Sequence, residues 1–196
     1  MSPGRRFSHA IAEGDGISVV AAVEDSDAAR AAETQRAEAL VVNGDPARLR
    51  DATRLPILWR ASAAVDRAAE VADAVTVTLP EDEDDDHDAA QRRHTEALAA
   101  GLDCAVEVRT EEELERALEM LDPEIFLLAP PQDDEEERLE LVLQLLAAVP
   151  AGKLAIADLE VTTEHEVHEL ERAGVDAVIV HAADVSPLAG EAPPEV

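Results

Sequence analysis

One carboxylate, Glu107, lies in an apolar segment that is typical of a β-strand. The segment is "DCAVEV" (Asp103–Val108), and it leads through Thr110 into the amphipathic sequence "TEEELERAL". A carboxylate near the end of a strand is a candidate general base, and it is equally a candidate partner for a cation. Arg109 falls on the same face of the extended chain, two residues further on, and is one such cation. Both interpretations depend on what neighbouring segments bring to the same place.

Seven further apolar runs of similar length recur along the chain. They are rich in β-branched residues and almost continuously apolar, as parallel strands buried on both faces are. In order, the eight runs cover Ile17–Val23, Ala39–Gly44, Leu55–Arg60, Ala74–Pro80, Asp103–Val108, Glu124–Pro130, Lys153–Asp158 and Asp176–Ala182.

Helical segments separate several of these runs. "TEEELERALEML" has a threonine N-cap with glutamate three residues later, and "TTEHEVHELERAG" begins similarly and ends on glycine. Eight strand–helix units predict a single-domain (β/α)8 barrel, the TIM-barrel fold, at residues 17–189. Residues 1–16 are an N-terminal segment and residues 190–196 a C-terminal tail.

The end of the chain leaves little room for a last helix, so we expect a minimal barrel with a truncated eighth helix. The outer wall near strands eight and one would then need cover from the N-terminal segment or from a partner subunit. The sequence therefore predicts that a second copy of the chain binds at this wall to form a homodimer.

Composition excludes several classes of partner. The formal net charge is −29, which argues against binding to nucleic acid or to an anionic membrane. No apolar run is long enough for a signal peptide or a membrane helix, and the single cysteine, Cys104, fits a cytoplasmic protein without disulfides. The acidity and the single lysine, Lys153, are also typical of a halophilic proteome, although a GC-rich genome would give a similar bias.

Five of the predicted strands resemble those of indole-3-glycerol phosphate synthase, a (β/α)8 lyase of tryptophan biosynthesis. The best match is "VEVRTEEELERAL", where the family reads much like Val-Glu-Val-His before Thr-Glu-Glu-Glu-Leu. "LPILWRAS", "ISVVAAVEDS" and "AIADLEVTTEHEVHELERAGVDAVIVH" resemble the third, first and last two units. The similarity extends over about Ile17–Ala182 and does not include the N-terminal helical extension of those synthases.

The resemblance implies that Glu107 keeps a family residue, whereas other functional positions have changed. The third-strand lysine, the family's general acid in ring closure, falls on Arg60, a poor proton donor near neutral pH. Asp158 matches the seventh-strand glutamate. These three residues, Glu107, Arg60 and Asp158, are the candidate catalytic residues.

The places that receive the anionic substrate have changed most. A first-strand lysine falls on Glu24, and the glycines whose backbone holds the phosphate fall on Glu160 and His181. We therefore expect an acidic rim at the barrel mouth, with mainly Arg60 to offset its charge. Glu24, Glu160 and His181 are the candidate binding residues there.

These replacements favour a catalytically degenerate synthase-like barrel, a pseudoenzyme that acts as a non-catalytic binding or interaction protein. One alternative is an active divergent synthase, a carbon–carbon lyase in which Glu107 is the base. Another is a metal-assisted enzyme that uses the carboxylates and the histidine of the rim. No cofactor and no resident metal are predicted, and the sequence does not specify a small-molecule ligand.

Overall fold

The computed structural model is a closed barrel of eight parallel strands, hydrogen-bonded in chain order with the last strand returning to the first. It describes residues 6–12, 16–60, 64–80, 87–131, 135–161, 163–181 and 184–188. The predicted (β/α)8 fold is confirmed, and each strand lies within its predicted run. The strands are β1 (Ser18–Ala22), β2 (Ala39–Val42), β3 (Ile57–Trp59), β4 (Ala74–Thr78), β5 (Asp103–Val108), β6 (Ile125–Leu128), β7 (Leu154–Asp158) and β8 (Ala177–Val180).

One helix precedes the barrel and a helix follows each of the first seven strands. Local signals set their ends: Thr163 caps α8 in a reciprocal capping box with Glu166, and Gly174 ends it in the left-handed conformation with φ 97°. The helices are α1 (Arg6–Ala12), α2 (Ser26–Thr34), α3 (Ala47–Arg50), α4 (Val65–Val71), α5 (His87–Ala99), α6 (Glu111–Met120), α7 (Glu135–Ala148) and α8 (Glu164–Ala173).

Strand alternation divides the core into an inner and an outer layer. Residues such as Val20, Leu58 and Ile156 point into the barrel, and their neighbours along each strand pack outward against the helices. Along β5 this alternation places Asp103, Ala105 and Glu107 on the inner face. One strand therefore carries an acid at each end of the barrel interior.

Helix α1 closes the amino-terminal opening of the barrel. Phe7 and Ile11 are 0% and 2% exposed and belong to the inner cluster, where alanines begin β2, β4 and β8 and leave room for them. The backbone N–H of Ser8 donates to Asp103 Oδ2 at 2.8 Å. Residues 6–12 of the N-terminal segment therefore close the bottom of the barrel and do not cover the outer wall, which was one of the two covers that the sequence suggested.

The outer wall near β8 and β1 is covered by the chain itself. Val178 and Val180 on β8 are fully buried, and Val185 and Leu188, just beyond β8, pack into the same outer cluster. The N–H of Val185 donates to the side chain of Gln35, at the end of α2. In the described part of the chain no helix follows β8, as expected, but this wall is not an open apolar face. The homodimer stays a prediction, but an uncovered wall near β8 and β1 no longer supports it.

Candidate functional site

Side chains from four strands meet at the carboxyl-end mouth of the barrel. The Arg60 guanidinium, just after β3, donates to Asp158 Oδ2 at 2.5 Å and to Glu107 Oε2 at 3.0 Å. The second oxygen of each carboxylate is also bound. Glu107 Oε1 accepts from Arg109 Nε at 3.3 Å, and Asp158 Oδ1 lies 2.9 Å from His181 Nε2. We call these five connected side chains the mouth network.

Strand register explains why these residues meet. Asp158 at the end of β7 pairs with Ile179 of β8, so His181, two residues later, points to the same side as Asp158. Arg60 continues the pattern of β3, since its N–H donates to the carbonyl of Val42 and the inward-facing Leu58 is two residues before it. Parallel strands place all their carboxyl ends at one opening, and this opening is where TIM-barrel active sites lie.

The inner part of the mouth network is sheltered from water. The side chains of Arg60, Glu107 and Asp158 are 18%, 11% and 15% exposed, whereas Arg109 and His181 are 38% and 40% exposed. Two carboxylates face two guanidiniums, so the network is neutral when His181 is neutral and carries one positive charge when it is protonated. The expected surplus of negative charge is therefore not found within this group. Our expectation that mainly Arg60 offsets the acids is wrong, because Arg109 and His181 also do so.

The contacts shift three pKa values in directions that keep the ion pairs charged. Burial opposes the charge on Arg60, but Asp158 and Glu107 outweigh this effect and raise its pKa. Burial likewise favours protonated Asp158, yet the hydrogen bond with His181 and the charge of Arg60 lower its pKa. The hydrogen bond to Asp158 raises the pKa of His181, against the opposing effect of burial.

Two of the predicted rim residues lie outside the mouth network. Glu24 is exposed in a surface cleft beside Asp25 and Asp45, because β1 ends at Ala22 and Asp25 caps α2. Glu160 is exposed just after β7, and its charge contributes to raising the pKa of His181. The structure therefore brings together Glu107, Arg60, Asp158 and His181, leaves Glu160 beside them and does not bring Glu24 into the group.

The described residues offer few other reactive groups. No three His, Cys, Asp or Glu side chains among them are placed to hold a metal ion, so the metal-assisted alternative has no site in this part of the chain. Cys104 points outward from β5 into the outer cluster, and burial raises its pKa to about 12. This environment fits the inert core thiol of a packed strand.

Asp158 and His181 were named separately from the sequence, but the hydrogen bond between them was not predicted. The available signal was parity: both residues fall on the inner face of predicted neighbouring strands, at the same end of the barrel. The contact between Arg109 and Glu107 was anticipated on the same ground, since the two residues are two apart on one strand. What the sequence does not contain is which side chains meet across the barrel, such as Arg60 after β3 with Glu107 on β5 and Asp158 on β7.

Comparison with known proteins confirms the sequence resemblance over about half of the chain. A 98-residue segment, 49% of the chain, is 39% identical to indole-3-glycerol phosphate synthase of Polaromonas naphthalenivorans (strain CJ2). The synthases of Variovorax paradoxus (strain S110) and Geobacillus sp. (strain WCH70) are 37% and 31% identical over similar lengths. The chain matches only 37%, 37% and 34% of the lengths of these three relatives, and no protein-family model matches it.

Solved structures confirm the fold alone. N-acetylmannosamine-6-phosphate 2-epimerase from Clostridium perfringens superposes with a TM-score of 0.70 at 15% identity, over 87% of this chain and 88% of that one. The aldolase QR15 gives a TM-score of 0.65, also at 15% identity, over 85% and 90% of the two chains. Within the described residues, no helix combines the length and apolarity needed to cross a membrane.

Proposed function

We propose that this chain is an indole-3-glycerol phosphate synthase-like barrel that does not catalyse the decarboxylating ring closure and acts as a binding or interaction protein. The observation that carries the proposal is the double pairing of Arg60 with Glu107 and Asp158. Both the cation and the two carboxylates of the mouth are engaged with one another. None of the three is left to act on a substrate without first breaking a sheltered ion pair.

The position of the family's general acid supports the proposal. Ring closure in the family uses a third-strand lysine to supply a proton, and Arg60 takes that place here. The pKa of a guanidinium is above 12, and the carboxylates beside Arg60 raise it further. An acid of this strength transfers its proton too slowly to be useful near neutral pH.

The phosphate end supports the proposal from another direction. In the family, glycines after strands seven and eight let backbone N–H groups approach the substrate phosphate. Here Glu160 and His181 take those places, and His181 is bound to Asp158. A carboxylate repels a phosphate, and an imidazole fills space that close backbone approach needs.

The test is a turnover assay with 1-(2-carboxyphenylamino)-1-deoxyribulose 5-phosphate, in low salt and in molar KCl. Indole-3-glycerol phosphate formation is followed by its fluorescence, and the Polaromonas naphthalenivorans synthase in the low-salt buffer is the positive control. We expect no product above background under either condition. Turnover that disappears in Glu107→Gln would overturn the proposal.

The pair of His181 and Asp158 favours one alternative function, an active divergent synthase. The imidazole of His181 lies at the mouth, and its pKa is raised by the hydrogen bond with Asp158. It could donate a proton in the reaction, which Arg60 is too weak an acid to do. The same assay separates the two functions. An active synthase of this kind would lose most of its turnover in His181→Gln, whereas a non-catalytic barrel has no turnover to lose.

A further inference from the structure

The mouth network ends in an imidazole, the side chain of His181. Arg109, Glu107, Arg60 and Asp158 form a chain of ion pairs from β5 through β3 to β7. His181, just after β8, is the last member and binds Asp158 Oδ1 at 2.9 Å. Imidazole is the side chain whose ordinary pKa, about 6.5, lies in the physiological range. The link between the end of β8 and the rest of the network is therefore made by a titratable side chain.

The charges around His181 favour its protonated form. Asp158 and Glu160, both from the end of β7, attract the imidazolium, and Arg60 from β3 repels it. On the other side of β8, the neighbouring strand β1 contains no charged residue. The hydrogen-bonded partner is Asp158, whose lowered pKa is due in part to the charge of Arg60. Arg60 therefore acts on His181 in two ways, by direct repulsion and by maintaining the carboxylate that binds it.

We propose that His181 is a pH-responsive latch at the barrel mouth. As an imidazolium it fastens the carboxyl end of β8 to Asp158 on β7 through a charge-assisted hydrogen bond. When it loses the proton, the hydrogen bond becomes a neutral donor–carboxylate contact, and the end of β8 opens more often. Each opening exposes the inner pair of Arg60 and Asp158 to solvent and to ligands.

Linkage fixes the direction of the effect. Folding raises the pKa of His181, so its added stability is fully present below the pKa of a free imidazole, about 6.5. The added stability is lost as the pH rises through the higher, folded-state pKa. The latch is therefore closed in mildly acidic solution and loosened in alkaline solution. This behaviour goes beyond the proposed function and does not depend on whether the barrel turns over a substrate.

Two independent measurements on the full chain test the latch. The first is the pKa of His181 from an NMR titration of its ring protons. The second is amide hydrogen exchange of Ile179 and Val180 in β8, corrected for intrinsic rates, with β2 as an internal reference because it contributes nothing to the mouth network. If opening exposes His181, protection of β8 relative to β2 falls tenfold for each unit by which the NMR pKa exceeds 6.5.

Two variants control for unrelated effects of pH. In His181→Gln, a side chain that keeps a neutral donor, the change in β8 protection with pH should disappear. In Glu160→Gln, the removal of an exposed charge should lower the pKa of His181 and reduce the change in protection together. The proposal is overturned if the pKa is 6.5 or lower, if β8 protection relative to β2 does not change across the titration, or if His181→Gln shows the same change as the wild type.

Discussion

Arg60 is the residue on which the geometry of the mouth depends. Its planar guanidinium presents several donors in a fixed fork, so it can bind carboxylates on two different strands at once. A lysine ammonium at the same place would be a compact charge that can move between partners. In the proposed function, Arg60 stands where the family has a lysine, and it would form a fixed connection between β5 and β7 in place of a mobile proton donor. The proposal rests on this chemical difference between the two cations.

A residue-scale prediction concerns the only cysteine, Cys104. Burial of Cys104 raises its pKa to about 12, so almost no thiolate is present at pH 8. We expect native protein to react with a chromogenic disulfide reagent at least a hundred times more slowly than protein unfolded in guanidinium chloride. A rate in the native state close to that of the unfolded chain would show that the thiol is accessible and that β5 packs differently.

The residues of the site were only partly predictable from the sequence. Arg60, Glu107, Asp158 and His181 could be expected at one opening, because each falls near the carboxyl end of a predicted parallel strand. Which of them touch depends on barrel shear and side-chain reach, which strand spacing does not contain. Glu24 was wrongly expected at the mouth. The strand ends at Ala22 and the chain then turns so that Asp25 can cap α2, which leaves Glu24 on the surface.

At the scale of elements, α1 is the part that the strand pattern did not reveal. Its seven residues are too few to be stable as an isolated helix, and the apolar pair Phe7 and Ile11 is a weak signal by itself. The helix exists because Phe7 and Ile11 pack against the alanines that begin β2, β4 and β8, at the amino-terminal opening of the barrel. By contrast, α6 and α8 were predictable from their capping threonines, which are local features.

Truncation of Phe7 tests the packing of α1. The side chain is fully buried, so Phe7→Ala should lower the free energy of unfolding by about 3 to 5 kcal/mol, as in other large-to-small core substitutions. The control is Leu98→Ala on α5, because Leu98 is 49% exposed and should change stability by no more than about 0.5 kcal/mol. Urea unfolding followed by circular dichroism measures both. Equal effects would mean that α1 does not close the barrel.

At the scale of the whole molecule, the dominant feature is the net charge of −29. The mouth network is balanced within itself, so the surplus of acids lies elsewhere, for example in the first turns of α6 and α8. Repulsion among such exposed acids is long-ranged in dilute buffer and is screened within about 3 Å at ~1 M salt. High salt should therefore stabilise the fold as a whole.

Thermal unfolding in potassium chloride checks this prediction of salt adaptation. We expect the melting temperature to rise steeply between low salt and molar KCl, because screening reduces repulsion in the compact state more than in the unfolded chain. Glucose at the same osmolality is the control, since it does not screen charge. A melting temperature that does not change with KCl would contradict the salt-adapted interpretation and favour simple codon bias.

The match to the synthases covers about half of this chain and 37% of the Polaromonas naphthalenivorans synthase, which limits how many of their properties can be assigned to it. The fold was predictable because eight apolar, strand-like runs alternate with helical segments, a pattern with few other arrangements. The cover of the wall beside β8 was not predictable, since it depends on where Val185 and Leu188 return to the outer cluster.

The most direct test of the account is a double-mutant cycle between Arg60 and Asp158, because their pairing is part of the observation that carries the proposed function. Arg60→Met, Asp158→Asn and the double variant are unfolded in urea at molar KCl, with the exposed pair Arg67 and Glu70 as the control cycle. We predict a coupling of about 1 to 3 kcal/mol for the mouth pair and about 0.5 kcal/mol or less for the control. A mouth coupling no larger than that of the control would contradict the claim that Arg60 is committed to the carboxylates.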